Sequence, residues 1–326
     1  MKRFIYYLII VLGVSQVISC KKDLNVQPVD QFSDATVWTD PSLIQTYVNY
    51  IYGGVPHGFS NISMGCLDDE AMYNADFGSS NTTKSLVTPS DLSVFDVNFG
   101  SSWHTKLLNW TNAYKYVRSC NLFFEHINTT DAFADDEATK NRLTGEVYFL
   151  RAYLYFDLME MYGGVPIITK AYTLSDSFNV PRNTFEETVN FITGQCDSAA
   201  ALLELTSDQG RGTKGAALAL KARTLLYAAS DLYNSNASWA NGYTHPELVG
   251  YTGGDRTARW TAAKNACKAV MDLGIYKLYG SLTPASAEEA TKNYGDIFLQ
   301  MQTSEDIFVP HRPNSPIRIQ PRPGAI

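Results

Sequence analysis

Apolar residues recur at helical spacing along most of the chain. The first clear pattern, at positions 43, 44, 47, 48, 51 and 52, begins after Asp40-Pro41-Ser42 and ends at Gly53-Gly54. These flanking residues are typical of a helix start and a helix stop. The same periodicity predicts helices at about 103–127, 138–162, 184–204, 213–233 and 260–273. Strand-like stretches are short, as at Val165–Thr169 and Asp306–Val309, so the predicted fold class is mainly α.

The segment GEVYFLRAYLYFDLMEMYGGVPII, residues 145–168, is apolar on nearly every side of the helix that it predicts. Such a helix is buried among other helices. Arg151 lies in its middle without an acidic residue three or four positions away. An unpaired buried guanidinium is costly, so we expect its partners to come from another helix or from carbonyl oxygens. A structural role for Arg151 is favoured over a catalytic one, because no nucleophile or base lies nearby in the sequence.

A repeat relates this helix to a later one. The sequence GEVYFLRAYLYF from Gly145 aligns with GAALALKARTLL from Gly215 at an offset of 70, which places Lys221 opposite Arg151. The helix that follows each of them recurs at an offset of 71. Helix pairs that repeat in this way indicate tetratricopeptide-like stacked helical hairpins, joined by long loops and accompanied by few short strands. Lys221 is therefore expected to repeat the structural role of Arg151.

The N-terminus has the pattern of an export signal. Lys2-Arg3 precede an apolar run at 4–14, which is too short for a confident membrane-spanning helix, and SQVISC then ends on Cys20. This pattern predicts a lipoprotein signal peptide at residues 1–19 and a lipidated Cys20, the alternative being an ordinary signal peptide with a chance cysteine. Residues 20–41 are polar, lack a helical period and are expected to form a tether.

Composition narrows the class of protein. The chain has 326 residues and a net charge of −7 without a basic run, which argues against nucleic acid as a partner. No cysteine pair has the C-x-x-C spacing of a zinc or thioredoxin-type site. Cys196 and Cys267 fall within helical runs and are expected to be small buried core residues. The sequence assigns no disulfide among these two, Cys66 and Cys120.

Motifs of catalysis are missing from the sequence. The histidines are scattered, and no H-E-x-x-H, G-x-S-x-G, P-loop or dinucleotide fingerprint occurs, so no cofactor or metal is expected. The stretch LDDEAMYNAD could supply a glycosidase pair, a calcium loop or a solvated loop. The spacing of a calcium loop is absent, which favours the solvated loop. Its acids are Asp68, Asp69, Glu70 and Asp76.

Aromatic side chains outside the helices are candidates for binding sugars, whose apolar faces stack on flat rings. Trp103 and Trp239 lie in surroundings rich in Asn, Gly and Ser, and Tyr73 is a weaker candidate. A simple role as a loop anchor is equally open for each of them. Trp110 and Trp260 lie in helical patterns and are expected in the core.

Several segments together resemble one family. In addition to residues 145–168, these are WTNAYKYVRSCNLFFEHI, VPRNTFEETVNFITGQCDSAAALL, GRGTKGAALALKARTLLYAAS, WTAAKNACKAVMDLGIYKL and NYGDIFLQMQTSEDIFV. In this order they resemble the SusD-like (RagB/SusD) family of outer-membrane nutrient-binding lipoproteins. The resemblance covers roughly residues 20–309. The predicted lipoprotein signal at residues 1–19 also fits this family.

The resemblance implies a function without chemical conversion. It implies a cell-surface lipoprotein, anchored in the outer membrane, facing the exterior and not an enzyme, whose α-helical domain spans residues 42–309. Such a protein captures oligosaccharides and passes them to a SusC-like TonB-dependent transporter. An acidic element of the family falls at Asp69 and Glu70, which would then accept hydrogen bonds from sugar hydroxyls.

Two alternatives remain open. A helical-repeat lipoprotein could bind peptides or protein partners, and a hydrolase could use the acids of residues 68–76. Family members also continue beyond the length of this chain. The atypical tail at residues 310–326 carries five prolines, and we expect it to reflect a truncated product or an altered reading frame.

Overall fold

The computed structural model describes residues 34–55, 110–234, 242–300 and 302–309. Their architecture is mainly α, as predicted, and no β-strand occurs in these ranges beyond an isolated parallel bridge between Asn234 and Tyr251. The α-helices are α1 (Asp34–Val37), α2 (Pro41–Tyr52), α3 (Trp110–Ile127), α4 (Glu137–Tyr162), α5 (Phe185–Leu202), α6 (Lys214–Ala229), α7 (Arg256–Met271) and α8 (Ala287–Leu299). Two 3-10 turns lie at Asp231–Tyr233 and Pro246–Leu248.

Most of these helices begin at a short polar side chain that accepts a hydrogen bond from the backbone of the first turn. At α2 the Asp40 carboxylate accepts from the Ser42 N–H at 2.7 Å, as the sequence predicted. At α5 the Thr184 hydroxyl and the Glu187 carboxylate form a reciprocal capping box. The caps of α4, α6, α7 and α8 are Asp136, Thr213, Asp255 and Ser286.

Helices α4 to α7 stack in sequence as antiparallel neighbours. Phe185 at the start of α5 stacks on Tyr233, just beyond the end of α6, with ring centroids 4.6 Å apart. Arg256 at the start of α7 donates through Nε to the carbonyl of Ala229, the last residue of α6 (3.4 Å). Each helix therefore returns beside the one before it, which confirms the tetratricopeptide-like arrangement.

The glycines that define the repeat have equivalent surroundings. A Cβ atom at Gly145 would lie 2.8 Å from Leu203, which follows α5, and one at Gly215 would lie 2.0 Å from the Tyr276 hydroxyl, which follows α7. In both hairpins the glycine of one helix admits a side chain located just past the end of the next. Close approach at this point explains why glycine recurs at the offset of 70.

The structure also differs from the predictions in several places. Residues 34–37 are helical, and Trp38 is buried against the His126 ring (4.5 Å between centroids), although the sequence here has no helical period. The helix predicted at 213–233 ends at Ala229, and the one predicted at 260 begins at Arg256. No helix was predicted at α8. The strands predicted at 165–169 and 306–309 are not strands.

Burial corrects three further expectations. Trp110 and Trp260 are 37% and 42% exposed and are not core residues, because each lies in the first turns of a helix, on its outer side. Cys196 is buried as predicted, whereas Cys267 is only half-buried. Cys120, Cys196 and Cys267 are free thiols, while Cys66 lies outside the described residues. Among the described helices, none is long and apolar enough to cross a lipid bilayer.

A buried carboxylate on α4 is linked to α2 through two arginine side chains. Glu146 is fully buried, and it accepts a hydrogen bond from Arg142 Nη1 at 2.8 Å and faces Arg211 Nε at 3.4 Å. The two guanidinium groups continue to α2, where they donate to Gln45 Oε1 (2.7 Å) and Asn49 Oδ1 (2.6 Å) respectively. Burial raises the pKa of Glu146, although both arginines oppose the rise. The pair of cations compensates the desolvation of this one carboxylate.

Gly145 tests the close packing of the hairpins. We expect Gly145→Ala to lower the free energy of unfolding by about 1–2 kcal/mol, because the new methyl group overlaps Leu203. Gly194→Ala in α5 is the matched control, since nothing lies within 4 Å of its Cβ position. There the gain in helix propensity should raise the free energy of unfolding by about 0.5–1 kcal/mol. Urea denaturation measures both changes, and equal effects of the same sign would contradict the packing argument.

Candidate functional site

Arg151 lies between three helices. Its Nε donates to Gln195 Oε1 of α5 and its Nη1 to Asn121 Oδ1 of α3, both at 2.9 Å. The guanidinium also lies 4.2 Å from the centre of the Phe124 ring, a cation–π contact. The side-chain carbonyls of two amides thus supply the partners that were expected from other helices. Burial lowers the pKa of Arg151, and no titratable group hydrogen-bonds to its guanidinium in the described residues.

Arg151 also determines the orientation of a neighbouring amide. Because Oδ1 of Asn121 accepts from the guanidinium, its Nδ2 points away, towards the segment that follows α4. There it donates to the carbonyls of Ile168 (2.9 Å) and Lys170 (3.1 Å). The Asn121 amide thereby connects a buried cation to the chain segment at residues 165–171 that follows α4.

The segment that follows α4, at residues 165–171, is held mainly by side chains and has no neighbouring strand in the described structure. Tyr155 Oη accepts from the N–H of Ile168 at 2.7 Å, and the Tyr114 hydroxyl donates to the carbonyl of Pro166 at 2.7 Å. Other contacts of this kind come from Asn183, Thr188 and Glu125. The strand predicted here is absent, and its backbone groups are paired mainly with side chains, together with the N–H of Asn183, which donates to the carbonyl of Val165 at 3.2 Å.

The C-terminus of α4 is a junction of three chain segments. The ring of Tyr162 packs edge-on against Trp110 at the start of α3, with centroids 5.1 Å apart. The N–H of Gly164 donates to the carbonyl of Leu248 at 2.7 Å. Gly163 has a positive φ of 74°, and a Cβ atom there would lie 2.4 Å from that same carbonyl. Gly163 is required because the loop at residues 242–251 contacts the helix end so closely, and Gly164 is required because a Cβ atom there would lie 2.2 Å from the carbonyl of Asn183.

Most of the predicted binding residues lie outside the described residues. These are the candidate ligand residues Asp69, Glu70, Tyr73, Trp103 and Trp239, together with Cys20. Their attachment points are described, however. Trp103 precedes Trp110 by seven residues, and Trp239 precedes Leu248 by nine. The described residues that border these segments are Trp110 after the first, and Asn234 and Gly242 on either side of the second.

Lys221 differs from its repeat equivalent. Its Nζ lies 2.7 Å from both carboxylate oxygens of Asp197 in α5, and its side chain is 27% exposed. Both cations thus bridge from their own helix to α5. Arg151 is buried against amides, whereas Lys221 forms an ion pair near the surface. In terms of the repeat, Lys221 contacts the helix before its own, as Arg151 does through Asn121 of α3, but it is less buried than Arg151.

Two carboxylates that the sequence did not single out share one face of α4. Burial, followed by repulsion from Glu160, raises the pKa of Asp157 to about 7. Burial also raises the pKa of Glu160, and Arg223 of α6 opposes this rise. No group of three or more metal-ligating side chains occurs in the described part of the chain. The only available signal for this pair was the presence of two acids in an otherwise apolar helix.

Comparison with known families identifies the class of protein. Residues 44–226, more than half of the chain, match the family model SusD-like_3, which is described as "Starch-binding associating with outer membrane". The chain belongs to the SusD-like family.

Individual relatives agree with the family model. This SusD-like chain is 27% identical over 234 residues to SusD-like protein P38 of Formosa agariphila, an alignment that covers 70% of the chain and 43% of the relative. It is 28% identical over 138 residues to a SusD-like protein of Bacteroides ovatus, covering 42% of the chain and 24% of that protein. The crystal structure of a SusD-like protein from Bacteroides fragilis matches with a TM-score of 0.58 and 29% identity, covering 86% and 47% of the two chains. The chain spans less than half the length of the relatives it matches.

Arg151 provides a test of the junction between helices. We expect Arg151→Leu to lower the free energy of unfolding by about 2–4 kcal/mol, because the Asn121 and Gln195 amides lose a charged donor while still buried. Lys221→Met, at the equivalent position of the repeat, should cost no more than about 1 kcal/mol, as an ion pair near the surface does. Chemical denaturation of both variants measures the difference. A stable Arg151→Leu variant that has lost only ligand binding would contradict the structural role.

Asp157 predicts how stability depends on pH. Its raised pKa means that the folded protein keeps a proton between about pH 4 and pH 7 that the unfolded chain has released. The free energy of unfolding should therefore fall as the pH rises through this window, by at most about 4 kcal/mol from this group. Asp157→Asn should remove most of the decline and raise stability at pH 8. A pH profile of the variant that parallels that of the unsubstituted chain would contradict this assignment.

Proposed function

We propose that this chain is a non-enzymatic glycan-binding lipoprotein of the outer membrane. The match to a starch-binding family over residues 44–226 carries the proposal. The helical scaffold supports it, because its internal contacts hold the helices together and leave ligand recognition to the connecting segments.

The proposed binding groups are Trp103 and Trp239 as stacking surfaces, with Asp69, Glu70 and Tyr73 as polar partners. Aromatic rings bind the apolar faces of sugars, and carboxylates accept hydrogen bonds from their hydroxyl groups.

Location and partner complete the proposal. Cys20 is the proposed lipidation site after removal of residues 1–19, and it holds the protein on the exterior face of the outer membrane. The bound oligosaccharide passes to a SusC-like TonB-dependent transporter without chemical change. The proposed organisation is a lipidated tether that begins at Cys20, a helical domain that begins with α1 at Asp34 and extends to residue 309, and a proline-rich tail at 310–326.

Binding to polysaccharide tests the function directly. Affinity electrophoresis in gels that contain soluble starch, together with an array of purified oligosaccharides, should show retention of the chain without release of product. Trp103→Ala and Trp239→Ala should each weaken retention by roughly tenfold, which is the scale of one lost stacking contact. Tyr294→Ala is the matched control, because this ring is exposed on α8 and lies outside the proposed site.

Other outcomes favour the alternatives. Binding of oligopeptides and of no glycan would favour a peptide-binding helical-repeat protein. Release of sugar products that depends on Asp69 or Glu70 would favour a hydrolase.

A further inference from the structure

A pocket lies between the loop that precedes α6 and the segment that follows α8. Residues 207–211 and Thr213 line one side of it, and Gln302 and residues 306–309 line the other. Its volume is about 60 Å³, which is room for a few groups of the size of a water molecule. The pocket is therefore large enough for the hydroxyl-bearing edge of one sugar residue and too small for a whole oligosaccharide.

The loop side of the pocket is fixed to the helices by Arg211. Its Nη1 donates to Asn49 Oδ1 of α2 at 2.6 Å, and its Nε faces the Glu146 carboxylate of α4 at 3.4 Å. The N–H of the next residue, Gly212, donates to the Tyr52 hydroxyl at 2.8 Å. Nη2 of Arg211 has no hydrogen-bond partner among the residues that the structure describes. A charged donor is thus held at the pocket while one of its nitrogens stays available.

The opposite side is also held by contacts of its own. The Phe308 ring packs edge-on against Phe149 of α4, with centroids 4.9 Å apart, and lies 6.2 Å from the ring of Tyr153. The N–H of Thr303 donates to Asp306 Oδ2 at 2.5 Å, which closes a turn in this segment. Both sides are therefore ordered before a ligand arrives, and such preorganisation reduces the entropy lost on binding.

Several polar side chains at the pocket have hydrogen-bonding capacity that the fold does not use. Within the described ranges, the Asp208 carboxylate and the Gln302 amide have no side-chain partner, and Asp306 accepts only through Oδ2. Carboxylates accept, a guanidinium donates, and an amide does both. The pocket thus offers donors and acceptors beside the apolar residues 307–309.

The charges at the pocket favour a neutral ligand. An anion would meet the carboxylates of Asp208 and Asp306, and a cation would meet the guanidinium of Arg211. A sugar residue carries no charge, and each of its hydroxyl groups both donates and accepts hydrogen bonds. Its C–H groups suit the apolar residues on the same side as Asp306.

We propose that this pocket binds one neutral sugar residue of a glycan. Asp208 and Asp306 accept hydrogen bonds from the sugar hydroxyls. Arg211 and Gln302 donate to the hydroxyl oxygens. This inference rests on the proposed function, to which it adds a second group of ligand residues.

Two substitutions in the full chain test the pocket. We expect Asp208→Ala to weaken retention by soluble starch by about tenfold and Gln302→Ala by roughly threefold, the scales of one charged and one neutral hydrogen bond. Both side chains lack partners in the described fold, so urea denaturation should show unchanged stability. Asp135→Ala is the matched control, because Asp135 is also an exposed aspartate without a described side-chain partner, and it lies outside the pocket. It should leave retention unchanged.

Hydrogen exchange with maltoheptaose locates the contact. The sugar should slow exchange in peptides that cover residues 207–213 and 302–309 of the unsubstituted chain, and this protection should be lost in Asp208→Ala. Protection confined to other parts of the chain would overturn the proposal. A rise in melting temperature with calcium chloride that Asp208→Ala abolishes would also overturn it, because the pocket would then be a cation site.

The two proposals fail in distinguishable ways. If starch retains the unsubstituted chain and Asp208→Ala equally well, the pocket is not a sugar site, while the proposed function stands. If neither starch nor any oligosaccharide of the array binds the unsubstituted chain, the proposed function is wrong and the sugar assignment of the pocket fails with it. Where another oligosaccharide binds and starch does not, that sugar replaces starch and maltoheptaose in the same measurements.

Discussion

The burial of one positive charge is the constraint on which the centre of this structure depends. Arg151 cannot be left without partners in an apolar environment, and the two amides that satisfy it come from α3 and α5. One side chain therefore links three helices whose apolar faces also pack together. The effect extends further, because Asn121, once it accepts from Arg151, must present its amide donors to the chain that leaves α4.

This arrangement separates rigidity from recognition. Helices α2 to α5 bury larger apolar side chains against one another, and buried polar groups among them are held in the Glu146 network and the Arg151 cluster. The tryptophans and their polar partners proposed to recognise sugar lie in the connecting sequences 56–109 and 235–241, outside the described helices. A scaffold of this kind can keep its packing while the connecting segments change with the ligand, which is how many helical-repeat proteins vary their specificity.

The sequence predicted the features that depend on local periodicity, and it missed those that depend on distant residues. Helices α2 to α7, the cap at Asp40 and the repeat at Gly145 follow from spacing alone. The partners of Glu146 do not, because Arg211 lies 65 positions away in the sequence. Trp110 was misplaced because helical spacing does not show which face is covered. In the same way, Val165–Thr169 has the composition of a strand, and only the fold shows that side chains take the place of a neighbour.

The segment at residues 165–171, after α4, affects whether a strand of another molecule can pair with this protein. An exposed strand normally presents a row of vacant amide and carbonyl groups, to which a strand of another molecule can add. Here many of those groups already have side-chain partners, from Tyr155 and Asn121 among others. A foreign strand would have to displace these side chains before it could pair. The chain thus contains a segment of strand-like composition that is poorly suited to seed intermolecular sheets.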